Sequence, residues 1–542
     1  MGGALALGVL LIVGFLTLVV WNGLATFYPG PIAVVRLENG SVVAGEPTRS
    51  EAFEPSAEVL SGLSPTWRER ILANHGLVSR TLYRVGNYDL YGEDFRWVAD
   101  FEVRAIEHPK DMVFIERAEW GPFLGRLARV ELAQTSVAAG DLSPSVLGEE
   151  HSRARRRREE IRHIERDEIG AVNHAMEALR LEQRRAELEH GSASEEAGRV
   201  AVRVQQGLAE FQREYDDLSN RASRLREEDS RFRVSLEDVN GTPKELRLSE
   251  IVRYYPANAL GGVSAFGIYL GRWWEFLTDE PREANTEGGV LPAIFGTAAM
   301  TLLMVIAVAP LGVVTALYLR EYARQGRVVS LVRISVNNLA GVPSIVYGVF
   351  GLGFFAYTVG AGIDQLFYPE RLPAPTFGTG GLLWSSLTLA LLTVPVVIVA
   401  TEEALAAVPR SIREGSLACG ASRWQTIRSI VLPQAMPGIM TGLILAMARG
   451  AGEVAPLMLV GVVKLAPELP IDGVFPFLHL ERSFMHLGFH IYDVGFQSRN
   501  SEAGKPMVFV TTLLLISLIA LMNATAIIVR ARLKRRFAGS HF

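Results

Sequence analysis

Apolar residues run for twenty or more positions at six places in the chain, roughly 5–27, 290–318, 339–359, 382–404, 438–463 and 507–529. A hydrocarbon core about 30 Å thick needs about 20 apolar residues in a helix rising about 1.5 Å per residue, so each run predicts a membrane span. The first run is longer than the apolar part of a signal peptide, about 7–15 residues, and no basic residue precedes it, so it reads as an uncleaved anchor. Its Trp21 and Tyr28 stand where interfacial aromatics would. Between the first two runs the pattern changes. Residues 31–44 alternate apolar and polar around Asn39-Gly40, and 232–242 do so around Asn240-Gly241, which predicts two hairpins that could pair into one small sheet. Residues 83–120, rich in aromatic and β-branched side chains, read as strand. In the middle, Ile169, Val172, Met176, Leu179, Gln183 and Ala186, then Val204, Leu208, Phe211, Tyr215, Leu218, Ala222 and Leu225, recur at spacings of three and four. That is a coiled-coil pattern in two arms, separated by 191–194, with Ser194 placed to start the second helix.

Composition agrees with a divided chain. Of 542 residues 49% are hydrophobic and 21% charged, the charges crowding into 150–235, and the net charge is −4. A single water-soluble globule is excluded, and the charge balance gives no reason to expect a nucleic-acid partner. One cysteine, Cys419, excludes a disulfide framework and a cysteine metal cage. The basic cluster Arg530, Arg532, Lys534, Arg535 and Arg536 after the last run places the C-terminus in the cytoplasm. Counting back through six spans puts 319–336 and 405–437 inside as well, with the N-terminus, and 29–285 outside. The expected organisation is an anchor at 1–28 and an external insertion at 29–285 with β-rich flanks (29–145, 230–285) around a helical coiled-coil hairpin (151–230). A membrane core at 286–530 and a basic tail at 531–542 complete it. The fold class is thus an all-α polytopic membrane protein of six transmembrane helices carrying an inserted α+β extracytoplasmic domain.

The loop 405–437 contains Glu414-Gly-Ser-Leu-Ala-Cys-Gly420 and, after nine residues, Ile430-Val-Leu432-Pro433. This resembles the coupling loop of ABC importer permeases, E-A-A, three residues, G, nine residues, I-x-L-P, with Gly415 and Ser416 in place of the two alanines. In that family two short helices joined near the glycine dock into a cleft of a cytoplasmic ATPase. The resemblance therefore assigns Glu414, Gly420, Ile430, Leu432 and Pro433 to ATPase coupling. Residues 291–297, 338–353 and 448–457 look like the matching stretches of PstA-type permeases of phosphate importers. The likeness covers about 290–530 and says little of the insertion. It implies the type I importer permease fold, a second homologous permease subunit, two ATPase subunits, an external phosphate-binding protein, and a place in the cell inner membrane. The chain itself has no phosphate loop, nucleophile elbow or zinc motif, so no enzyme activity and no bound cofactor are expected, ATP being used by the partner.

Arg449 and Glu453, four residues apart in the fifth run, are read as lining the translocation pathway, Arg449 offsetting a passing oxyanion and Glu453 holding it when the site is empty. A salt bridge locking two helices is the alternative. Gly341, Pro343 and Gly348 mark the third run as a hinge or close-packed helix. His479, His486, His490 and Asp493 share an outer loop, but no third ligand is fixed by spacing and no metal is expected. The expected function is that of a permease subunit of an ATP-driven phosphate importer. The rivals are a permease for phosphonate, sulfate or molybdate, or a membrane-anchored sensor or scaffold.

Overall fold

Among the described residues, six helices of the computed structural model are long and apolar enough to cross a membrane: Gly2–Ala25, Leu291–Tyr322, Ser344–Phe367, Leu382–Ala406, Arg423–Ala451 and Ser501–Arg532. The structure describes residues 2–132, 135–138, 144–466, 468–473, 477–498 and 501–538, so the last four residues of the basic tail lie outside it. They form two units, one of Met1–Thr26, Phe276–Glu280 and Gly289–Phe542, the other of Phe27–Glu275 and Pro281–Gly288.

The helical unit is centred on the second, fourth and fifth spans. Met300, Met304 and Val308 meet Leu389, Val397 and Ala446 in its core. Small residues allow this. A Cβ added at Gly438 or Gly442 would come within 2.5 Å of Ala404 or Ala400, so the fifth span lies nearly backbone to backbone on the fourth.

Two predicted spans are shifted. The apolar run at 339–359 does not form one helix, because a helix Arg327–Leu339 ends first and the next begins at Ser344. Gly341 lies in the turn between them and Pro343 precedes the second helix, so neither is inside a span. The run at 438–463 likewise breaks. Its helix ends at Ala451, and a short helix Ala455–Val460 follows with Pro456 in its first turn. Each break leads to a proline at the start of the next helix, Pro343 or Pro456, and proline starts a helix more readily than it continues one.

Among the described residues, the other unit is built on two large antiparallel sheets, with a two-residue ribbon pairing Pro281 with Gly288 and Arg282 with Glu287. Strands β1 (Ala33–Leu37), β2 (Val42–Phe53), β3 (Val78–Arg84), β4 (Phe95–Ala99) and β5 (Val103–Glu107) lie in the order β4-β3-β2-β1-β5. Strands β6 (Val113–Arg117), β7 (Phe123–Leu132), β8 (Thr135–Ala138), β9 (Phe232–Glu237), β10 (Pro243–Arg247) and β11 (Ile251–Pro256) form the second, ordered β10-β9-β7-β6-β11 with β8 on β7. Both Asn-Gly hairpins are present, β1–β2 and β9–β10, with Gly40 and Gly241 at φ +84° and +81°. They do not share a sheet as expected. The free edge of each is taken by a strand from the middle of the chain, β5 on β1 and β7 on β9. Nor is the second flank all β, since Gly262–Thr278 is a helix.

Between β8 and β9 the chain is helical from Pro144 to His190, through a widened turn at Ile164–Glu168, and again from Glu195 to Asp229. Ser194 caps the second helix by accepting from the Ala197 N–H. The two helices pack antiparallel, with Val204, Val172 and Ala222 buried and Arg203 paired with Glu182 at 3.4 Å and Arg221 with Glu160 at 2.7 Å.

A charged network holds the second sheet to the helix Gly262–Thr278. Glu116 on β6 accepts from Arg253 at 2.8 Å and Arg272 at 2.7 Å, and Arg253 also reaches Glu275 at 3.0 Å. Burial alone would raise the Glu116 carboxyl, but the Arg272 and Arg253 guanidiniums outweigh it and hold the group below its ordinary range. Its contribution to stability is therefore present above the ordinary carboxylate range and lost as pH falls through the folded value. Glu116→Gln leaves the buried Arg272 guanidinium with only neutral partners and Arg253 with Glu275 alone, and is expected to cost about 3–5 kcal/mol. Denaturation midpoints of the full-length protein should show this at pH 7, with the gap from wild type closing as pH falls; an unchanged midpoint at pH 7 would refute it.

Candidate coupling loop and intramembrane charge pair

Residues 410–433 fold as two short helices with a reversal between them. Pro409 precedes the helix Arg410–Ala418, and Gly420 beyond its end adopts φ +84°. The Ala421 N–H reaches the Ser416 carbonyl at 3.2 Å and the Gly420 N–H the Leu417 carbonyl at 3.0 Å, a paired C-terminal cap that needs a left-handed residue at 420. Ser422 then opens the helix Arg423–Thr426 by a reciprocal cap with Gln425 (2.7 and 3.3 Å). A widened turn, Ile427–Val431, leads into the helix Leu432–Ala451, with Pro433 in its first turn. Glu414 is exposed, as are Leu417 and Trp424. Ile430, Leu432 and Pro433 are half-buried, and Leu432 packs on the cluster around Leu405, Val431 and Ala435. The Ser416 hydroxyl meets that of Thr426 at 2.9 Å, so one of the two residues that depart from the alanine pattern pins one short helix to the other.

Sequence reasoning missed how this loop is tied to the spans. Arg413 pairs with Glu321 at 3.1 Å and donates to the Leu405 carbonyl at 2.5 Å. Arg423 donates to the Glu321 carbonyl and lies over the Tyr322 ring at 5.3 Å. Both short helices are thus fastened to the end of the second span. Arg333 similarly grips Glu402, near the end of the fourth span, at 3.2 Å. Arg423 and Glu321 are 102 residues apart, and no local pattern signals such pairing.

Arg449 occupies the last turn of its helix, and Glu453 lies beyond the helix end instead of on one helical face with it. They still face each other, Nε to Oε1 3.8 Å, with the Arg449 side chain 40% exposed and that of Glu453 23%. At that separation the pair is electrostatic, without a hydrogen bond. Among the described residues the Arg449 guanidinium donates no hydrogen bond, which leaves its planar fork available for an anion. The neighbouring segments are tightly placed. A Cβ at Gly348 would lie 2.7 Å from the Pro456 Cα, so Gly348 is a close-packing position, while one at Gly296 would strike the Met485 carbonyl at 2.0 Å. The Thr297 hydroxyl accepts from the Leu487 N–H at 2.9 Å.

His486 precedes the helix Leu487–Tyr492 and accepts from the Gly488 and Phe489 N–H groups at 3.1 and 3.4 Å. Burial pushes His486 and His490 down to about 4, so both are neutral at pH 7. His479 sits apart, between Asp472 at 3.0 Å and Glu481 at 3.2 Å. Among the described residues no group of three His, Cys, Asp or Glu is placed to hold a metal ion.

Residues 308–537 match the family described as "Binding-protein-dependent transport system inner membrane component". The "Probable ABC transporter permease protein YqgH" of Bacillus subtilis is 37% identical over 204 residues, 36% of this chain and 62% of that protein. The "Probable ABC transporter permease protein YqgI" of the same organism is 30% identical over 264 residues, 47% of this chain and 84% of that protein. The "Phosphate transport system permease protein PstA 1" of Mycobacterium tuberculosis is 38% identical over 197 residues, 36% of this chain and 59% of that protein. The chain thus spans about three-fifths of the length of YqgH and of PstA 1.

Proposed function

Because this chain belongs to the binding-protein-dependent transport system inner membrane component family of ABC transporter permeases, we propose that it is a PstA-type permease subunit of an ATP-driven inorganic phosphate importer. It forms the translocation pathway, in the type I importer arrangement, with a second homologous permease. Two ATPase subunits engage the loop 405–437 from the cytoplasm, and an external phosphate-binding protein delivers the cargo. Both termini are cytoplasmic and residues 29–285 face outward, the helical pair standing from its sheets as a coiled coil. The chain binds no cofactor of its own, and ATP is hydrolysed by its partners. The observation that carries the reading is the coupling loop: the Gly420 reversal presents exposed Glu414, Leu417 and Trp424 on two short helices fastened to the spans through Arg413 and Arg423. Similarity to a phosphate permease and the hydrogen-bond-free Arg449 guanidinium support phosphate as the cargo.

Closure of the ATPase pair would push on these helices. The ion pair Arg413–Glu321 would pass the displacement to the second span and the continuous backbone through Pro433 to the fifth, tilting the helix that carries Arg449. Radiolabelled phosphate uptake in phosphate-starved cells is expected to disappear when the gene is deleted and to return with the wild-type chain. Unchanged uptake in a deletion strain with no second copy would reject phosphate and leave another oxyanion as the cargo.

A further inference from the structure

The helix Gly262–Thr278, which no part of the transport reading uses, is inverted relative to a helix on a soluble domain. Its only two charged residues, Arg272 and Glu275, face inward, where Arg272 meets Glu116, the Tyr255 hydroxyl at 2.7 Å and the Phe27 carbonyl at 3.1 Å. Glu275 meets Arg253 and Arg282. The opposite face is apolar and open. Val263, Phe266, Leu270 and Trp274 recur at spacings of three and four and are 91%, 55%, 51% and 71% exposed. At about 100° per residue these four lie within a stripe about 80° wide, with no charge on it. Water is a poor neighbour for such a face, and a soluble domain seldom directs its charges inward and its tryptophan outward.

Chain continuity says what covers it. The first span ends at Ala25, and two residues later the Phe27 ring stands edge-on to Trp273 at 5.1 Å, with Tyr28 6.3 Å from Tyr269. A helix held against the residues that leave the bilayer is at the bilayer surface, and Phe27, Tyr28, Tyr269 and Trp273 form the aromatic grouping that favours the headgroup level. We propose that the helix Gly262–Thr278 lies in the plane of the outer membrane–water boundary with the stripe Val263, Phe266, Leu270 and Trp274 sunk into lipid, fastening the external unit to the bilayer. The stripe carries no cation, so this contact is apolar and indifferent to lipid charge.

Spin labels on Leu270→Cys and Trp274→Cys, in a full-length Cys419→Ser chain in phosphatidylcholine nanodiscs, test the placement. Ser192→Cys, in the exposed turn between the two long helices, is the aqueous reference. Oxygen is expected to relax labels 270 and 274 more than a water-soluble nickel chelate does, at a depth of about 5–10 Å, with the order reversed at 192. Added phosphatidylglycerol or raised salt should leave that depth unchanged. Nickel access at 270 and 274 equal to that at 192 would mean water covers the stripe. Exclusion of both reagents would mean protein covers it. Either result overturns the proposal.

Discussion

Arg449→Gln is expected to lower phosphate uptake by roughly 10- to 150-fold, the loss of one hydrogen bond to a charged partner worth about 1.5–3 kcal/mol, while the protein still assembles with its ATPase. Glutamine keeps a planar donor group but loses the charge. The Glu453 contact is loose, 3.8 Å without a hydrogen bond, so little stability rests on it. Uptake is where the substitution should register. A second variant separates the pathway role from a helix lock. Were the pair only a lock, Glu453→Gln on top of Arg449→Gln would relieve the stranded carboxylate and restore transport; with Arg449 facing the oxyanion, the double variant stays as inactive as the single one. Restoration by the second change, or normal uptake by Arg449→Gln alone, rejects the pathway assignment.

What could be read from the sequence follows what physics makes local. Six long helices were legible because hydrocarbon demands some twenty apolar residues in a row, and the buried faces of the two long external helices because Val172, Val204 and Ala222 recur at helical spacing. The joint at Gly420 was implied by the resemblance to the coupling loop, and the structure places that glycine at φ +84°, which few other residues tolerate. Helix ends inside apolar runs were not legible. The breaks at Gly341–Pro343 and before Pro456 are backbone events inside runs that are apolar on average, so Glu453 was placed in a run whose helix ends two residues earlier. Sheet partners were not legible either. Val34 opposite Glu107 and Arg126 opposite Glu237 are choices made by the folded whole, and neither hairpin announces which strand will take its free edge. The inward charges of the helix Gly262–Thr278 belong to the same class, since their meaning depends on Glu116 and Arg253 being underneath.

Arg413→Ala should uncouple the transporter, leaving ATP hydrolysis by the assembled complex while phosphate uptake falls at least about tenfold, the equivalent of roughly 1.4 kcal/mol. The side chain has two attachments, the Glu321 carboxylate at 3.1 Å on the second span and the Leu405 carbonyl at 2.5 Å at the end of the fourth. The Arg413 and Glu321 side chains are only 19% and 12% exposed, so the pair is partly shielded from water and salt. On the proposed reading their effect is mechanical, because a displaced coupling helix that no longer grips Glu321 would move without moving the span. A cycle of Arg413→Ala, Glu321→Gln and the double variant measures this directly. If the ion pair carries the motion, the double variant transports no worse than either single one, and all three retain ATPase activity. Additive losses would instead assign transmission to the backbone through Pro433, and loss of ATPase activity in Arg413→Ala would mean the arginine supports docking of the ATPase itself.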